Sequence, residues 1–436
     1  MPALSEGPLR DILLAPDRDR IWGAWPTVSF SEEDDPALLT PLRERMVGRV
    51  VLKRRGTDHG QLAVVDPKGV LESLPGGKRG RALQKERWVA ARPLVLGGAL
   101  ARELRSEREL DDRALDDLHR RLARADELEP WARSRCKRVA GHRVLGRTDA
   151  LADPERDLAR VAIAGRTGGA EREDLWVKSG RLSLHAGDRS LRVRVAFGDE
   201  GDDDASRDEA GHRAVAALGE ALLPGAKLVA RADEPRATLE RLVERPVLLT
   251  QAIAYWNAPD GGARMHHDAF GAVDPSAAAD ESGQLGVAYA QLAGRTVWIG
   301  LSIRDLSERV HEFVGWLGEG DAPWIVEESL GGSQGLAELQ ALAEDPLALL
   351  SELARPGCGA FGPLVERGTE FTGALVDAGH ACVLRAGDVI LLPNHGPART
   401  AMHAVFCAGP RPAYGMSFAI RAREGGRGGR AFEPPA

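Results

Sequence analysis

Several things are scarce in this sequence, and each scarcity excludes something. Cysteine occurs 4 times in 436 residues, at Cys136, Cys358, Cys382 and Cys407, and never as a Cys-x-x-Cys pair. That rules out a zinc ribbon and gives little reason to expect disulfides; buried or inert thiols in a reducing compartment are the expectation. No apolar run approaches the roughly 20 residues of a membrane-spanning helix. Charge of one sign is not in excess: the net charge is −7, which exerts no global pull toward nucleic acid or an anionic membrane. The opening Met1-Pro2-Ala3-Leu4 has no basic region followed by an apolar one, so a secretory signal is not expected and a cytoplasmic location is. The stretch Leu74 to Arg81 is rich in glycine and cations, but it lacks the Gly-x4-Gly-Lys-Ser/Thr spacing of a phosphate loop and reads as a solvated loop.

Hydrophobic residues make up 43% of the chain, ample for the core of two domains or of one elaborated domain. Trp22 and Trp25 are expected core anchors, and Met46 to Leu52 a short strand or helix end. From Gly97 to Ala132, leucines among alternating charges (Leu100, Leu104, Leu115, Leu118, Leu122) predict a helical hairpin, with His119 and His142 as surface histidines. The first clear strands are Asp174 to Lys178 and Ser190 to Phe197, the second alternating apolar and cationic residues. The acidic cluster Asp199 to Asp204 lacks the EF-hand pattern and is expected to cap a helix over 206–223.

Chemistry concentrates farther on. Val247 to Trp256 predicts a buried strand, Asn257 to Gly262 a turn, and then comes Arg264-Met265-His266-His267-Asp268-Ala269-Phe270. If the chain re-enters a strand at Met265, His266 and Asp268 share one face and His267 takes the other. A histidine and a carboxylate on one face are two-thirds of a facial metal triad. Gly286 to Leu292 and Thr296 to Leu301 predict two strands joined in a tight hairpin by Ala293-Gly294-Arg295. Residues 303–378 return to helical spacing. Ala381 to Pro393 gives two strands around Gly387-Asp388, and Met402 to Phe406 and Tyr414 to Ile420 give two more. A third ligand is available at His403, which begins an apolar strand, or at His395, which sits in a loop between Pro393 and Gly396.

Taken in order, His266-His267-Asp268, Gln291-Leu292-Ala293-Gly294-Arg295-Thr296-Val297-Trp298, Gly387-Asp388-Val389-Ile390-Leu391-Leu392-Pro393 and His403 resemble the cupin-type JmjC oxygenases, which depend on Fe(II) and 2-oxoglutarate. The resemblance covers about residues 245–421. It implies an α+β chain with a double-stranded β-helix (jelly-roll or cupin-like) core, and an enzyme that couples decarboxylation of 2-oxoglutarate to hydroxylation of a substrate C–H bond. It would make His266, Asp268 and His403 the iron ligands. In that family a Lys or Arg two residues after the hairpin glycine holds the distal carboxylate of 2-oxoglutarate; here that position is Thr296. Arg421, at the end of the last strand, is the substitute candidate, with Thr296 and Tyr289 as hydrogen-bonding helpers.

The domain expectation is therefore a mostly helical region over 1–165, a JmjC/cupin-like domain over 170–425 with a helical insertion at about 303–378, and a loose tail over 426–436. The first half would serve as a lid, as a dimerisation unit of a homodimer, or in substrate recognition. The expected substrate is a protein, a peptide or a small molecule, with no role for nucleic acid or membrane. Two competing expectations are a cupin-type metal-binding or sensor protein without oxygenase activity, and a barrel that binds no metal.

Overall fold

The computed structural model describes residues 50–51, 61–62, 77–105, 107–137, 141–148, 156–167, 170–182, 189–198, 208–259, 261–271, 273, 283–320, 323–367, 369–407 and 412–423. Trp22, Trp25, most of 46–52, the acidic cluster at 199–204 and the tail lie outside them. No helix among the described residues is long and apolar enough to cross a membrane.

The class is α+β, with antiparallel sheets. Strands β1 (Val50–Val51) and β2 (Gln61–Leu62) pair with each other. The larger sheet holds β3 (Leu94–Leu96), β4 (Arg143–Thr148), β5 (Asp157–Thr167), β6 (Ala170–Arg181) and β7 (Leu191–Phe197) from the first half of the chain. From the second half it takes β8 (Val247–Asn257), β10 (Gly286–Ala293), β13 (Val389–Pro393) and β15 (Ala413–Ala422). Its order is β3-β13-β10-β15-β8-β7-β6-β5-β4, so the sheet runs across residue 165 without a break. The smaller sheet has the order β12-β11-β14-β9, built from β9 (Gly262–His266), β11 (Arg295–Ser302), β12 (Ala381–Arg385) and β14 (Ala401–Cys407).

Side-chain alternation divides the core into three layers. Behind the large sheet, Val177, Val193, Val195 and Met416 pack on Leu218 and Leu222 of the helix Glu209–Leu222. That helix opens with Asp208 accepting from the Gly211 amide; the cap is this residue, and the acidic cluster expected to supply it lies outside the described residues. Outside the small sheet, Val297, Ile299, Ala404 and Phe406 pack on Phe313 and Phe371 of the helices that fill 303–378. Between the sheets, Val287, Tyr289 and Ile390 of the large one meet Trp298, Leu384 and Val405 of the small one.

Two expectations are corrected. β10 and β11 do not form a hairpin: each lies in a different sheet. Gly294, at φ +69, turns the chain from one sheet to the other, passing so close to β15 that a Cβ would stand 3.0 Å from the Ala413 Cα. Gln291 secures the crossing by donating to the carbonyls of Ala293 at 2.7 Å and Tyr414 at 3.0 Å. Secondly, Lys78 to Arg81 is no loop but the start of a helix, Gly77–Val89. Tertiary contacts override its weak local propensity: Trp88 is buried, and Lys85 donates to the Leu242 carbonyl at 3.0 Å and pairs with Glu244 at 2.8 Å.

Candidate metal centre

Alternation on β14 decides the orientation of its histidine. Met402, Ala404 and Phe406 pack outward on the helices, while Ala401 and Val405 face the gap between the sheets, and His403 with them. On β9, Met265 points outward, which turns His266 inward. The two strands are antiparallel and in a register that sets His266 opposite His403, with ring centroids 4.1 Å apart. β9 ends at His266, so Asp268 lies beyond the strand rather than on it. Its carboxylate nevertheless turns back, with Oδ1 4.0 Å from His266 Nε2 and Oδ2 3.8 Å from His403 Nε2.

One donor atom from each of these residues lies within 4.8 Å of the others. A metal bound at about 2.1 Å needs neighbouring donors about 3 Å apart. His266 and Asp268 are 40% and 38% exposed and have room to turn inward, whereas His403, at 6%, is fixed. The hydrogen bonding and burial suit a metal. His266 Nδ1 donates to the Arg264 carbonyl at 2.6 Å, which turns Nε2 toward Asp268. Burial holds His403 well below the ordinary histidine pKa, and the neighbouring His266 and His267 rings add to this; the Ala401 carbonyl opposes it without making an aligned bond to Nδ1. Two imidazoles and a carboxylate from one side form a donor set that suits Fe(II) and leaves the opposite positions open. The residues fit such an ion.

His267 and His395 are engaged elsewhere. His267 donates through Nε2 to the Ala354 carbonyl and accepts the Ala269 amide at Nδ1, both at 3.0 Å, tying the motif to the helical insertion. His395 Nε2 donates to the Trp88 carbonyl at 2.8 Å, and its ring stands edge-on to Trp88. Trp298, which pattern alone gave no role, stacks on the His403 ring at 5.4 Å and 18°. The signal was available: Trp298 and Thr296 alternate with the outward-facing Val297 and Ile299.

The residues expected to help the co-substrate separate into two places. Thr296 is fully buried and saturated: its hydroxyl donates to Gln291 Oε1 at 2.6 Å and accepts from Trp298 Nε1 at 2.9 Å. The Tyr289 hydroxyl donates to the same Gln291 oxygen at 3.1 Å, and burial pushes its pKa up. This network closes one end of the gap and offers no cation. Arg421 lies at the other end of β15. Tyr414, Met416, Phe418 and Ile420 face the helices behind the sheet, so Arg421 alternates to the inter-sheet side. It is 6% exposed and its Nη2 lies 3.5 Å from Gln251 Oε1. The neighbouring Ile420 carbonyl accepts the amide of Leu285, and the adjacent Gln284 side chain contacts the Asp268 carbonyl at 3.4 Å. Arg421 is thus at the metal-motif end of the gap.

No protein-family model matches the chain, and no curated protein does. Among solved structures it is similar to the ribosomal oxygenase YcfD of Escherichia coli, at 13% identity and TM-score 0.20, over 62% of this chain and 41% of that one. A crystal structure of the same protein gives 14% identity and TM-score 0.20 over 65% and 48%. YcfD in complex with cobalt and 2-oxoglutarate gives 14% identity and TM-score 0.20 over 65% and 48%. The chain spans less than half the length of these structures, and so loose a likeness carries nothing about mechanism.

Proposed function

We propose that this chain is an Fe(II)- and 2-oxoglutarate-dependent oxygenase of the JmjC/cupin type that hydroxylates a C–H bond of a protein, a peptide or a small molecule. The observation that carries this is the convergence of His266, Asp268 and His403 on the inner face between two sheets. The strand order supports a double-stranded β-helix. From β8 to β15 every connection crosses between the sheets except β11 to β12, and the helical insertion sits at that connection.

In this reading His266, Asp268 and His403 hold the iron, which when bound supplies the chemistry that couples 2-oxoglutarate decarboxylation to C–H hydroxylation. The remaining work falls to the chain. The Arg264 carbonyl fixes the tautomer of His266. Trp298 holds the plane of His403 and, with Tyr289, keeps the inner wall apolar. Arg421 is the cation placed to take a carboxylate in the gap.

The test is to incubate the protein with Fe(II), 2-oxoglutarate and oxygen and measure succinate, whose uncoupled formation needs no known substrate. Iron-loaded protein that neither forms succinate nor binds 2-oxoglutarate would sink the proposal. A second reading, a metal-binding or sensor protein without oxygenase activity, is favoured by the saturated Thr296 network, which puts no cation at its end of the gap. Tight zinc or nickel binding with indifference to 2-oxoglutarate would select it.

A further inference from the structure

The large sheet extends past the metal gap, and its front face changes character there. One row of directly opposed residues crosses six strands: Arg160 on β5, Lys178 on β6, Arg194 on β7, Ile253 on β8, Ser417 on β15 and Tyr289 on β10. Its inner end, Tyr289, packs at 4.6 Å on Trp298, which stacks on the metal-motif His403. Its outer end is three cations in succession. One rung along β7, Arg192 stands opposite Tyr255, whose ring faces Tyr289 at 6.3 Å and whose hydroxyl accepts from Ser417 at 3.2 Å.

Like charges directly opposed on neighbouring strands are destabilising, with side chains leaving the backbone about 5 Å apart. Two features offset this here. The cations lie over the buried ring of Trp176, with Arg160 at 4.6 Å, Arg194 at 5.7 Å and Lys178 at 5.8 Å. The buried Asp157 pairs with Lys178 at 3.0 Å and lies 3.8 Å from Arg192. Arg192 keeps 31% of its side chain exposed, with its guanidinium lying toward Asp157 on the β5 side of the row.

We infer that this face binds an acidic, extended peptide and delivers it to the metal site, with Arg192 and Arg194 receiving its carboxylates. They are two residues apart on one strand, so their side chains emerge about 7 Å apart, the same repeat as alternate side chains of an extended peptide. Four strands of about 4.8 Å spacing separate β7 from β10 inclusively, so Arg194 is about 14 Å from the inner end of the row. An extended chain covers the distance to Tyr289 in about four residues, and the metal ligands lie beyond it across Trp298, which places the oxidised residue more than about four positions from the acidic anchor. A nucleic acid fits less well: Trp176, the aromatic at the centre of the patch, is 1% exposed and gives bases nothing to stack on. Calling the peptide a substrate rests on the oxygenase reading; its binding does not.

The test is fluorescence anisotropy on the metal-free full chain with three labelled nonapeptides, alternating Glu-Ala, Gln-Ala and Lys-Ala, and with oligothymidylate. The Glu-Ala peptide should bind saturably and weaken with salt, and Arg192→Gln should loosen it at least fivefold while Arg192→Lys restores most of the loss. His266→Ala should leave it unchanged, so peptide binding and succinate formation fail or survive separately. The inference is overturned if Glu-Ala binds no better than Gln-Ala, if Arg192→Gln binds like wild type, or if oligothymidylate binds more tightly and loses its affinity on the same substitution.

Discussion

The indole of Trp298 lies nearly parallel to the imidazole of His403, 18° between planes and 5.4 Å between centroids. Both side chains point into the gap from adjacent strands, Trp298 being opposed to Val405 and His403 to Gly300. Gly300 leaves room for Pro93, whose ring would stand 3.0 Å from a Cβ placed there. Trp298 itself is pinned by its Nε1 bond to Thr296.

This makes Trp298 an orienting residue whose loss has two separable effects. Trp298→Ala should cost about 3–5 kcal/mol of stability through the cavity it leaves. It should also weaken metal affinity about tenfold, because the His403 ring gains freedom to turn. Trp298→Phe keeps a stacked ring and should restore the metal affinity though not the bond to Thr296. Thermal unfolding and a metal titration on each variant check this; unchanged metal affinity in Trp298→Ala would show that the stack does not orient the ligand.

The paired histidines should respond in opposite ways. His266→Ala removes a donor atom and should abolish stoichiometric metal binding with little change in stability, since the side chain is 40% exposed. His267→Ala breaks the bonds to the Ala354 carbonyl and the Ala269 amide, and should cost about 1–3 kcal/mol in stability. Its effect on metal should be a weakening rather than a loss. Metal content by elemental analysis together with urea unfolding separates the two, and a metal-free His267→Ala would reverse the assignment.

His403 could be picked out because it begins an apolar strand, but that strand is apolar on both faces, and its inward orientation is visible only in how β14 packs between the helices and the other sheet. Pairing His266 with Asp268 came from a strand argument that the fold does not use, since β9 stops at His266 and the Asp268 carboxylate returns from beyond it. What the sequence hid were choices between sheets. Gly294 looks the same whether it closes a hairpin or swings a strand across a gap, because the difference lies in the contact with Ala413, more than a hundred residues away. β4 and β5 went unnoticed for another reason: Ala159, Ala162, Ala164 and Gly165 dilute the β-branched residues of β5, and its pairing with β6 makes up the deficit.

A pH dependence of stability follows from His380. Its ring is held to a pKa of about 4, chiefly by burial, with the cations Arg309, Arg92 and Arg87 adding to the effect and Asp305 opposing it. In the unfolded chain the same ring takes up its proton near its ordinary value of about 6.5. Between these values unfolding binds a proton, so this contribution is complete above pH ~6.5, declines as pH falls, and is gone below ~4. Its size is on the order of 2–3 kcal/mol. Urea midpoints measured from pH 7.5 to 4.5 on wild type and His380→Gln should converge as the pH falls. Parallel curves would show that another group carries the acid sensitivity.

Arg421 and Thr296 offer the sharpest test of where a co-substrate's carboxylate goes. Thr296 has no donor left for a carboxylate, since its one O–H already goes to Gln291 while Trp298 donates to its oxygen. Arg421 is a buried cation at the metal-motif end of β15, 3.5 Å from the Gln251 side chain. Removing a charged partner from a buried carboxylate costs about 2–3 kcal/mol, which is roughly 30- to 150-fold in affinity. Calorimetric titration of 2-oxoglutarate into the zinc-loaded protein should therefore show such a loss for Arg421→Gln and a smaller one for Arg421→Lys, which keeps the charge but not the bidentate fork. Thr296→Val should lower stability by orphaning the Trp298 Nε1 and taking one of two donors from the Gln291 oxygen, while leaving the affinity close to wild type. If Thr296→Val loses 2-oxoglutarate and Arg421→Gln does not, the carboxylate sits at the Thr296 end and Arg421 only supports the sheet.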